Sequence, residues 1–280
     1  MSQDLKIIQT TLNIGAEKPF KLLHVTDSHI AIDDEGKDCG RAKIFDLEYE
    51  GSTNDYFIKA AEYCKENDMV MLHTGDFFDF LSEANFAFAD EYLNKIDYIY
   101  AAGNHDFCHC VGKAKEDYQY KWDQIKISAP YIKSNLYFDS RIINGVNIVT
   151  LDNSYYLISD GQIEALRAEA AKGYPILLAM HNPIYNAAQA EDMKQKGGHI
   201  LYVVGAPEEI LQTYPADRRV QQTPDDATLR AIKYIKEEPL IKAIVVGHLH
   251  RNFEETLENG VPQITTDGGY SGYVRELTII

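Results

Sequence analysis

The sequence predicts an α/β protein whose sheets mix parallel and antiparallel strands. Short apolar runs rich in β-branched and aromatic residues recur along the chain, as expected for strands buried on both faces. Segments with the helical spacing of apolar residues lie between these runs, and this alternation is typical of an α/β core. Two further stretches have the pattern of antiparallel strands. The combination argues against a single all-parallel sheet.

Five apolar runs are predicted to form the core strands. They lie at residues 21–26, 69–73, 96–101, 176–180 and 241–246. Their shortness and their β-branched and aromatic content favour strands over buried helices.

Three helical patterns lie between these strands. Residues 52–67, 83–95 and 160–172 each place apolar side chains on one face, and Gly173 is positioned to end the third helix. A strand followed by a helix is the repeating unit of an α/β core, so these helices are predicted to cover the sheets.

A fourth helix is predicted after the sequence Thr223-Pro224-Asp225-Asp226. The threonine is interpreted as the N-cap and the proline as a first-turn residue, while the two acids suit the positive end of the helix dipole. The helix would present Leu229, Ile232 and Ile235 to the core.

Two stretches predict antiparallel strands. Residues 135–153 read as a hairpin in which Asn144-Gly145 forms the tight turn. Residues 252–280 are also strand-like and are interrupted at Gly268-Gly269.

Two polar segments with weak periodicity, residues 33–50 and 186–222, are interpreted as long excursions from the core. Loops of this length in compact domains are often lids or binding loops. The chain shows no internal repeat and no clear linker, so residues 1–280 are predicted to form a single domain.

Composition narrows the class of protein. The chain has 280 residues, 45% of them hydrophobic, which is enough to bury a sizeable core. Its formal net charge of −16 repels nucleic acid at long range, so a dedicated DNA- or RNA-binding protein is disfavoured. The first residues lack a basic segment followed by an apolar run, and no apolar stretch approaches the length of a membrane span. We expect a cytoplasmic protein with reduced cysteines and no membrane partner.

Polar side chains suited to bind metals follow each of the five core strands. The clusters are Asp27-x-His29, Gly75-Asp76, Gly103-Asn104-His105-Asp106, His181 and Gly247-His248-x-His250. Ligands of open α/β sheets bind beyond the carboxyl ends of the strands, so these clusters are predicted to meet at one edge.

The mixture of carboxylates and imidazoles favours manganese, iron or zinc, because magnesium and calcium prefer mostly oxygen ligands. A carboxylate can bridge two ions, and two ions about 3.5–4 Å apart can activate water and orient a phosphate. We therefore expect two divalent or trivalent metal ions as cofactors.

The complete set of clusters resembles the calcineurin-like metallophosphoesterases. Their pattern is D-x-H, G-D-x-x-D/N, G-N-H-D/E, H and G-H-x-H. This chain reads Asp27-Ser28-His29, Gly75-Asp76-Phe77-Phe78-Asp79, Gly103-Asn104-His105-Asp106, His181 and Gly247-His248-Leu249-His250. The resemblance implies a four-layer αββα sandwich in which helices flank two mixed sheets.

The resemblance also implies roles for the site residues. One metal would be held by Asp27, His29, Asp76 and His250, and the other by Asp76, Asn104, His181 and His248. His105 would assist the leaving oxygen, oriented by Asp106, while a metal-bound hydroxide attacks phosphorus in line.

Four residues near these clusters are also compatible with purely structural roles. Asp79 suits an outer contact of the metal site or a helix cap equally well, and Arg251 suits a salt bridge better than a contact with substrate. His24 and His73 lie within strand runs, where a hydrogen-bonded core histidine is expected.

Several functions remain compatible with these residues. A hydrolase of a small soluble phosphomonoester or phosphodiester fits the acidic chain best. A nuclease of the same family would need a basic surface, and only 27 basic residues stand against 43 acidic ones. A non-catalytic scaffold on this fold would be expected to lack some ligands or His105, yet all are present. A protein phosphatase would carry arginines where this chain has Phe80 and Ala102.

Overall fold

The computed structural model describes residues 4–34, 40–49, 52–109, 117–196 and 200–280. Its strands are β1 (Lys6–Leu12), β2 (Phe20–Val25), β3 (Val70–His73), β4 (Tyr98–Tyr100), β5 (Phe138–Ile143), β6 (Val146–Leu151), β7 (Ile176–Ala179), β8 (Ile241–Val246), β9 (Phe253–Thr256), β10 (Pro262–Thr265) and β11 (Tyr273–Ile279).

The helices in the described residues are α1 (Arg41–Tyr49), α2 (Thr53–Glu66), α3 (Glu83–Glu91), α4 (Tyr118–Ser128), α5 (Asp160–Ala170), α6 (Ala187–Gln195), α7 (Glu208–Leu211), α8 (Ala216–Gln222) and α9 (Asp226–Glu237). Short 3₁₀ turns occur at Leu93–Lys95, His105–Phe107, Ala129–Tyr131 and Gly269–Ser271.

The strands form two mixed sheets. The first has the order β1-β11-β2-β3-β4, and the second has the order β5-β6-β7-β8-β10-β9. In the first sheet β2, β3 and β4 are mutually parallel, while β11 runs antiparallel to β2. In the second, β6, β7, β8 and β10 are parallel, and β5 and β9 are antiparallel edge strands. The predicted mixture of strand directions is confirmed.

Alternating side chains of each strand build separate apolar layers. Leu22 and Leu72 of the first sheet share a buried cluster with Leu177 and Val245 of the second, and this cluster joins the sheets. The opposite face of the first sheet packs against α2 and α3. That of the second sheet packs against α5 and α9. The result is the predicted four-layer αββα sandwich.

The hairpin prediction is confirmed in detail. β5 and β6 pair antiparallel, and Ile143 lies opposite Val146. Asn144 and Gly145 between them both have positive φ, 46° and 79°. A two-residue turn with two positive φ values matches the twist of the flanking strands, which explains the Asn-Gly pair.

The predicted start of the fourth helix is wrong by two residues. The N-cap of α9 is Asp225, whose side chain accepts a hydrogen bond from the Thr228 backbone N–H at 2.7 Å. Thr223 therefore lies before the cap. The predicted apolar face is confirmed for Ile235, which is buried, and for Ile232, which packs against the same core, but not for Leu229, which is half exposed.

Both polar excursions contain helices that their weak periodicity did not predict. The described part of residues 33–50 includes α1, and residues 35–39 and 50 lie outside the described residues. The second excursion, here called the cap segment (residues 186–196 and 200–222), contains α6, α7 and α8. It has a small core of its own that includes Met193, Leu201 and Tyr214.

None of the helices in the described part of the chain combines the length and the apolar character of a membrane span.

Candidate metal centre

The structure brings the five clusters together at one edge of the two sheets. Asp27, Asp76 and Asn104 follow the parallel strands β2, β3 and β4, and His181 and His248 follow the parallel strands β7 and β8. Parallel strands end at the same side of their sheet, so the sequence order of the clusters becomes spatial proximity.

One group of possible ligands consists of Asp27, His29 and His250, whose donor atoms lie within 4.8 Å of one another. Asp27 Oδ1 is 3.1 Å from His250 Nε2, and His29 Nε2 is 3.2 Å from the same nitrogen. Three groups with lone pairs thus converge on one point, as ligands of a metal ion do.

A second group consists of Asp76, His181 and His248 within the same 4.8 Å limit. Asp76 Oδ2 is 3.1 Å from His181 Nε2, which in turn is 3.1 Å from His248 Nδ1. Asp76 Oδ2 is also 4.0 Å from His29 Nε2 of the first group. Asp76 therefore lies between the two groups.

Asn104 contributes an unsatisfied polar atom at the same edge. Its Oδ1 is shielded from solvent and accepts no hydrogen bond from the described residues. A buried amide oxygen without a donor costs about 1–3 kcal/mol unless something else satisfies it. A metal ion would satisfy it, and the donor set as a whole fits first-row metals.

The outward-facing nitrogen of each ligand-type imidazole has a hydrogen-bond partner. His29 Nδ1 lies 2.9 Å from Asp79 Oδ1, and His181 Nδ1 lies 2.7 Å from the Thr74 carbonyl oxygen. Both contacts place a proton on Nδ1, so in the neutral imidazole the lone pair is on Nε2, which faces the centre.

The other two imidazoles are held by tyrosines. The Tyr156 hydroxyl is 2.9 Å from His248 Nε2, and the Tyr270 hydroxyl is 3.2 Å from His250 Nδ1. The sequence analysis assigns a role to neither tyrosine. No local pattern marks Tyr156, which lies 92 residues from His248.

Each carboxylate uses one oxygen to hold the backbone and leaves the other for the centre. Asp27 Oδ2 accepts from the His248 N–H at 2.9 Å, while Asp76 Oδ1 accepts from the His105 N–H at 2.8 Å. These bonds tie loops of different strands together. They also orient Asp27 Oδ1 and Asp76 Oδ2 toward the imidazoles.

Five of the candidate ligands have left-handed backbone conformations. The φ angles are 50° for Asp27, 45° for His29, 54° for Asp76, 68° for His248 and 47° for His250. Positive φ is uncommon outside glycine, and such residues concentrate at functional sites.

Two motif glycines are required by close approach. A Cβ at Gly103 would collide with the Asp76 side chain, and one at Gly247 would collide with Thr26 and Asp27. Larger residues at these positions would push the carboxylates out of place.

His105 faces Asp79 rather than Asp106. Its Nδ1 lies 2.8 Å from the Asp79 carbonyl oxygen and 3.4 Å from Asp79 Oδ1. Asp106 instead accepts hydrogen bonds from Tyr100 and from the backbone N–H groups of Gly103, Asp76, Phe77 and Phe78. The expectation that Asp106 orients His105 is therefore corrected: Asp106 shapes the loops, and Asp79 contacts the histidine.

Charges within the centre shift several pKa values. Burial alone would lower the pKa of His105, but the carboxylates of Asp76 and Asp79 raise it to about 10. The same balance between burial and the carboxylates of Asp76 and Asp27 raises the pKa of His181 to about 9. For His248, burial and the neighbouring His181 lower the pKa to about 3.

The structural interpretations of the neighbours are confirmed for three residues. His24 contacts the Thr74 and Thr266 hydroxyls at 2.8 Å each, and His73 contacts the Ser28 hydroxyl at 2.9 Å. Arg251 forms a salt bridge with Asp192 at 2.6 Å. Asp79 proves to be an outer contact of the site and not a helix cap.

Sequence reasoning missed Arg41. This residue of α1 makes two hydrogen bonds of 2.7 Å to the two carboxylate oxygens of Asp79. The only sequence signal is a positive charge in a polar excursion, and that pattern by itself predicts an exposed residue.

Comparisons with known proteins agree with the fold. A family model described as calcineurin-like phosphoesterase matches residues 20–252. A dimetal phosphatase from Danio rerio aligns over 90% of this chain and 88% of its own, at 13% identity and a TM-score of 0.52. Phosphopantetheinyl hydrolase from Mycobacterium tuberculosis aligns over 90% of both chains, at 12% identity and a TM-score of 0.44.

NAD nucleotidase from Haemophilus influenzae aligns over 93% of this chain but 52% of its own, at 15% identity and a TM-score of 0.42. A search of curated proteins finds no match. At these identities the likeness to the Danio rerio structure concerns the fold alone.

Proposed function

The chain belongs to the calcineurin-like phosphoesterase family, and from this membership we propose that it hydrolyses a small phosphorylated substrate at a centre of two metal ions. Membership makes it a metal-dependent phosphoester hydrolase. The number of ions, their ligands and the size of the substrate are the proposal.

The observation that carries the proposal is the position of Asp76 between two converging groups of lone pairs. We assign Asp27, His29 and His250 to one ion and Asn104, His181 and His248 to the other, with Asp76 shared. The unsatisfied Oδ1 of Asn104 supports its place in the second set. The ligand types suit manganese, iron or zinc.

Two bound ions would supply an activated water and neutralise charge on the phosphoryl oxygens. The protein groups would hold this arrangement rigid. Asp27 and Asp76 are fixed by backbone N–H groups, and the imidazoles are fixed by their outer partners. Such prior orientation removes the reorganisation that would otherwise slow the reaction.

His105 is proposed to protonate the leaving oxygen. Its Nδ1 is engaged by the Asp79 carbonyl, which leaves Nε2 for the substrate. Its backbone N–H is bound to Asp76 Oδ1, so the ring is held beside the shared carboxylate. General acid assistance of this kind typically contributes about 10²–10⁴-fold in rate.

The cap segment supports a substrate of limited size. Leu249, between His248 and His250, packs against the core of the cap segment. The Tyr202 ring meets the His248 ring edge-on, with centroids 6.0 Å apart. The cap therefore borders the centre directly. Together with the net charge of −16, this favours a small anion over a polyanionic chain.

The test combines metal content with a substrate panel. Protein reloaded with manganese, iron or zinc is analysed for bound metal and assayed with p-nitrophenyl phosphate, bis-p-nitrophenyl phosphate, nucleotides, and linear and circular DNA. We expect about two ions per chain and turnover of small esters. One ion per chain at full activity would overturn the binuclear centre, and a preference for DNA would overturn the small substrate.

A further inference from the structure

Arg41 reaches the centre from outside the motif-bearing loops. It is the first residue of α1, and its Nε and Nη2 bond to Asp79 Oδ2 and Oδ1, both at 2.7 Å. The Asp79 side chain is fully buried, whereas that of Arg41 is 37% exposed. A planar guanidinium that meets both oxygens fixes the plane of the carboxylate as well as its charge.

Asp79, held in this way, contacts two imidazoles of the candidate centre. Its Oδ1 lies 2.9 Å from His29 Nδ1 and 3.4 Å from His105 Nδ1. Its carbonyl oxygen lies 2.8 Å from the same His105 nitrogen. One residue therefore orients a candidate metal ligand and the candidate proton donor.

The side-chain torsion of Asp79 does not by itself fix the orientation of its carboxylate. Rotation about the terminal torsion of an aspartate is broad and roughly two-fold. Arg41 Nε supplies the hydrogen bond to Oδ2. Without it, a buried carboxylate oxygen would lack that donor, and rotation of the group would weaken the contacts of Oδ1.

A second residue of α1 anchors the helix beside the same imidazole. The Phe45 ring stacks on His29 at a centroid distance of 5.9 Å, and the Arg41 guanidinium lies 5.3 Å from the Phe45 ring centre. Residues four apart share one face of a helix, so α1 presents both to the centre. The Arg41 side chain is therefore held in one position by these contacts.

We propose that Arg41 is a positioning residue for the hydrolytic reaction, acting through Asp79 on His105. The inference rests on the proposed function. His29 would also be held by a bound ion, whereas the polar partner of the His105 ring is Asp79. The loss of Arg41 is therefore expected to affect leaving-group protonation more than metal binding.

The kinetic test is a double-mutant cycle measured across leaving groups. Wild type, R41M, H105A and R41M/H105A are assayed with alkyl and p-nitrophenyl phosphate esters. We expect R41M to lower kcat about 10- to 100-fold for alkyl esters and only a few-fold for p-nitrophenyl esters, with little change in KM. The double variant should match H105A, because both changes remove the same assistance.

Two further variants separate positioning from charge and from helix stability. R41K keeps the charge but cannot form the fork, so it should recover only part of the alkyl-ester rate. K43M removes an exposed charge from the same helix and should behave as wild type. Equal losses with both ester classes, or multiplicative losses in the double variant, would overturn the inference.

A readout without turnover tests the same geometry. In metal-free protein, an imidazole N–H bound to the Asp79 carboxylate should give a downfield proton resonance that R41M weakens and K43M preserves. Elemental analysis should find unchanged metal content in R41M. If the wild type hydrolyses nothing, the proposed function fails, while an unaltered resonance in R41M would separately reject the role of Arg41.

Discussion

Two polar regions of this protein differ in whether their hydrogen-bond donors and acceptors are matched. One is the candidate metal centre. The other, here called the Arg275 network, consists of Arg275, Thr10, Glu254, Thr266 and His24. In this network Arg275 donates to Thr10 Oγ1 at 2.6 Å, to Thr266 Oγ1 at 3.0 Å and to Glu254. His24 then contacts Thr266 at 2.8 Å.

Both regions contain histidine and acidic side chains, but they differ in whether their acceptors have donors. In the Arg275 network, one cationic donor, Arg275, meets two hydroxyls and a carboxylate. In the metal centre, His29 Nε2 faces His250 Nε2 at 3.2 Å, and Asn104 Oδ1 has no donor among the described residues. The burial of polar groups therefore does not by itself indicate a functional site. A functional site is indicated where several hydrogen-bond acceptors converge without matching donors.

The largest expected effect is that of Asp76→Asn. The amide removes the charge between the two ligand groups, so metal content and activity should both fall below detection. Asp68→Asn is the matched control, because Asp68 has a similar φ of 52° but is exposed. Elemental analysis and the esterase assay give the readouts. Retention of both ions in D76N would show that the centre does not need this carboxylate.

His105→Ala should slow turnover of a poor-leaving-group ester by about 10²–10⁴-fold while the metals stay bound. His109, an exposed histidine nearby, provides the control variant H109A. Steady-state kinetics with an alkyl phosphate checks the prediction. Wild-type turnover by H105A would disprove the role of proton donor.

Arg275→Met should act on stability instead of catalysis. It leaves the acceptors Thr10, Thr266 and Glu254 without their cation, but the Glu254 side chain is 54% exposed and can be solvated, so we expect a loss of about 1–2 kcal/mol in the free energy of unfolding. Arg141→Met breaks an exposed ion pair with Asp97 and should cost less than 1 kcal/mol. Urea denaturation measures both. A fall in kcat per folded molecule of R275M would contradict the claim that the Arg275 network acts on stability alone.

The smallest expected effect is the pH response of Glu255, near the Arg275 network. Burial raises the pKa of Glu255 to about 7, although Gln263 donates a hydrogen bond to its carboxylate. The folded protein therefore holds a proton that the unfolded chain releases near its ordinary pKa of 4.5. Stability from this group is full below that value and is lost as pH rises to about 7.

Glu255→Gln should remove this slope and stabilise the protein at pH 8 by on the order of 1 kcal/mol. Urea denaturation of both proteins between pH 4 and 8 measures the difference. Parallel stability curves would show that Glu255 is not the group responsible.

The sequence predicts the fold and most of the centre because both follow from strand ends. The run at 241–246 is strand β8, and the clusters after the five runs meet as expected. The motif does not encode which acid faces His105. Asp106 adjoins His105 in sequence while Asp79 lies 26 residues away, and the choice depends on loop geometry.

The remaining differences come from contacts between distant segments. Arg41 lies 38 residues from Asp79, and its helix is stabilised beside the centre by contacts such as that of Phe45 with His29. The cap helices gain a core from packing that short-range periodicity cannot show. At α9, two good capping residues stand two positions apart, and the sequence rule does not separate Thr223 from Asp225.

The left-handed backbones of Asp27, His29, Asp76, His248 and His250 imply a trade-off between durability and activity. Each conformation costs about 1 kcal/mol in a residue other than glycine, so the five together withhold roughly 5 kcal/mol from the folded state. Glycine at these positions would relieve the backbone cost, but at Asp27 and Asp76 it would also leave the His248 and His105 N–H groups without their acceptors. Such conformations persist only where the surrounding structure enforces them, so part of the stability of the fold serves to hold the shape of this site.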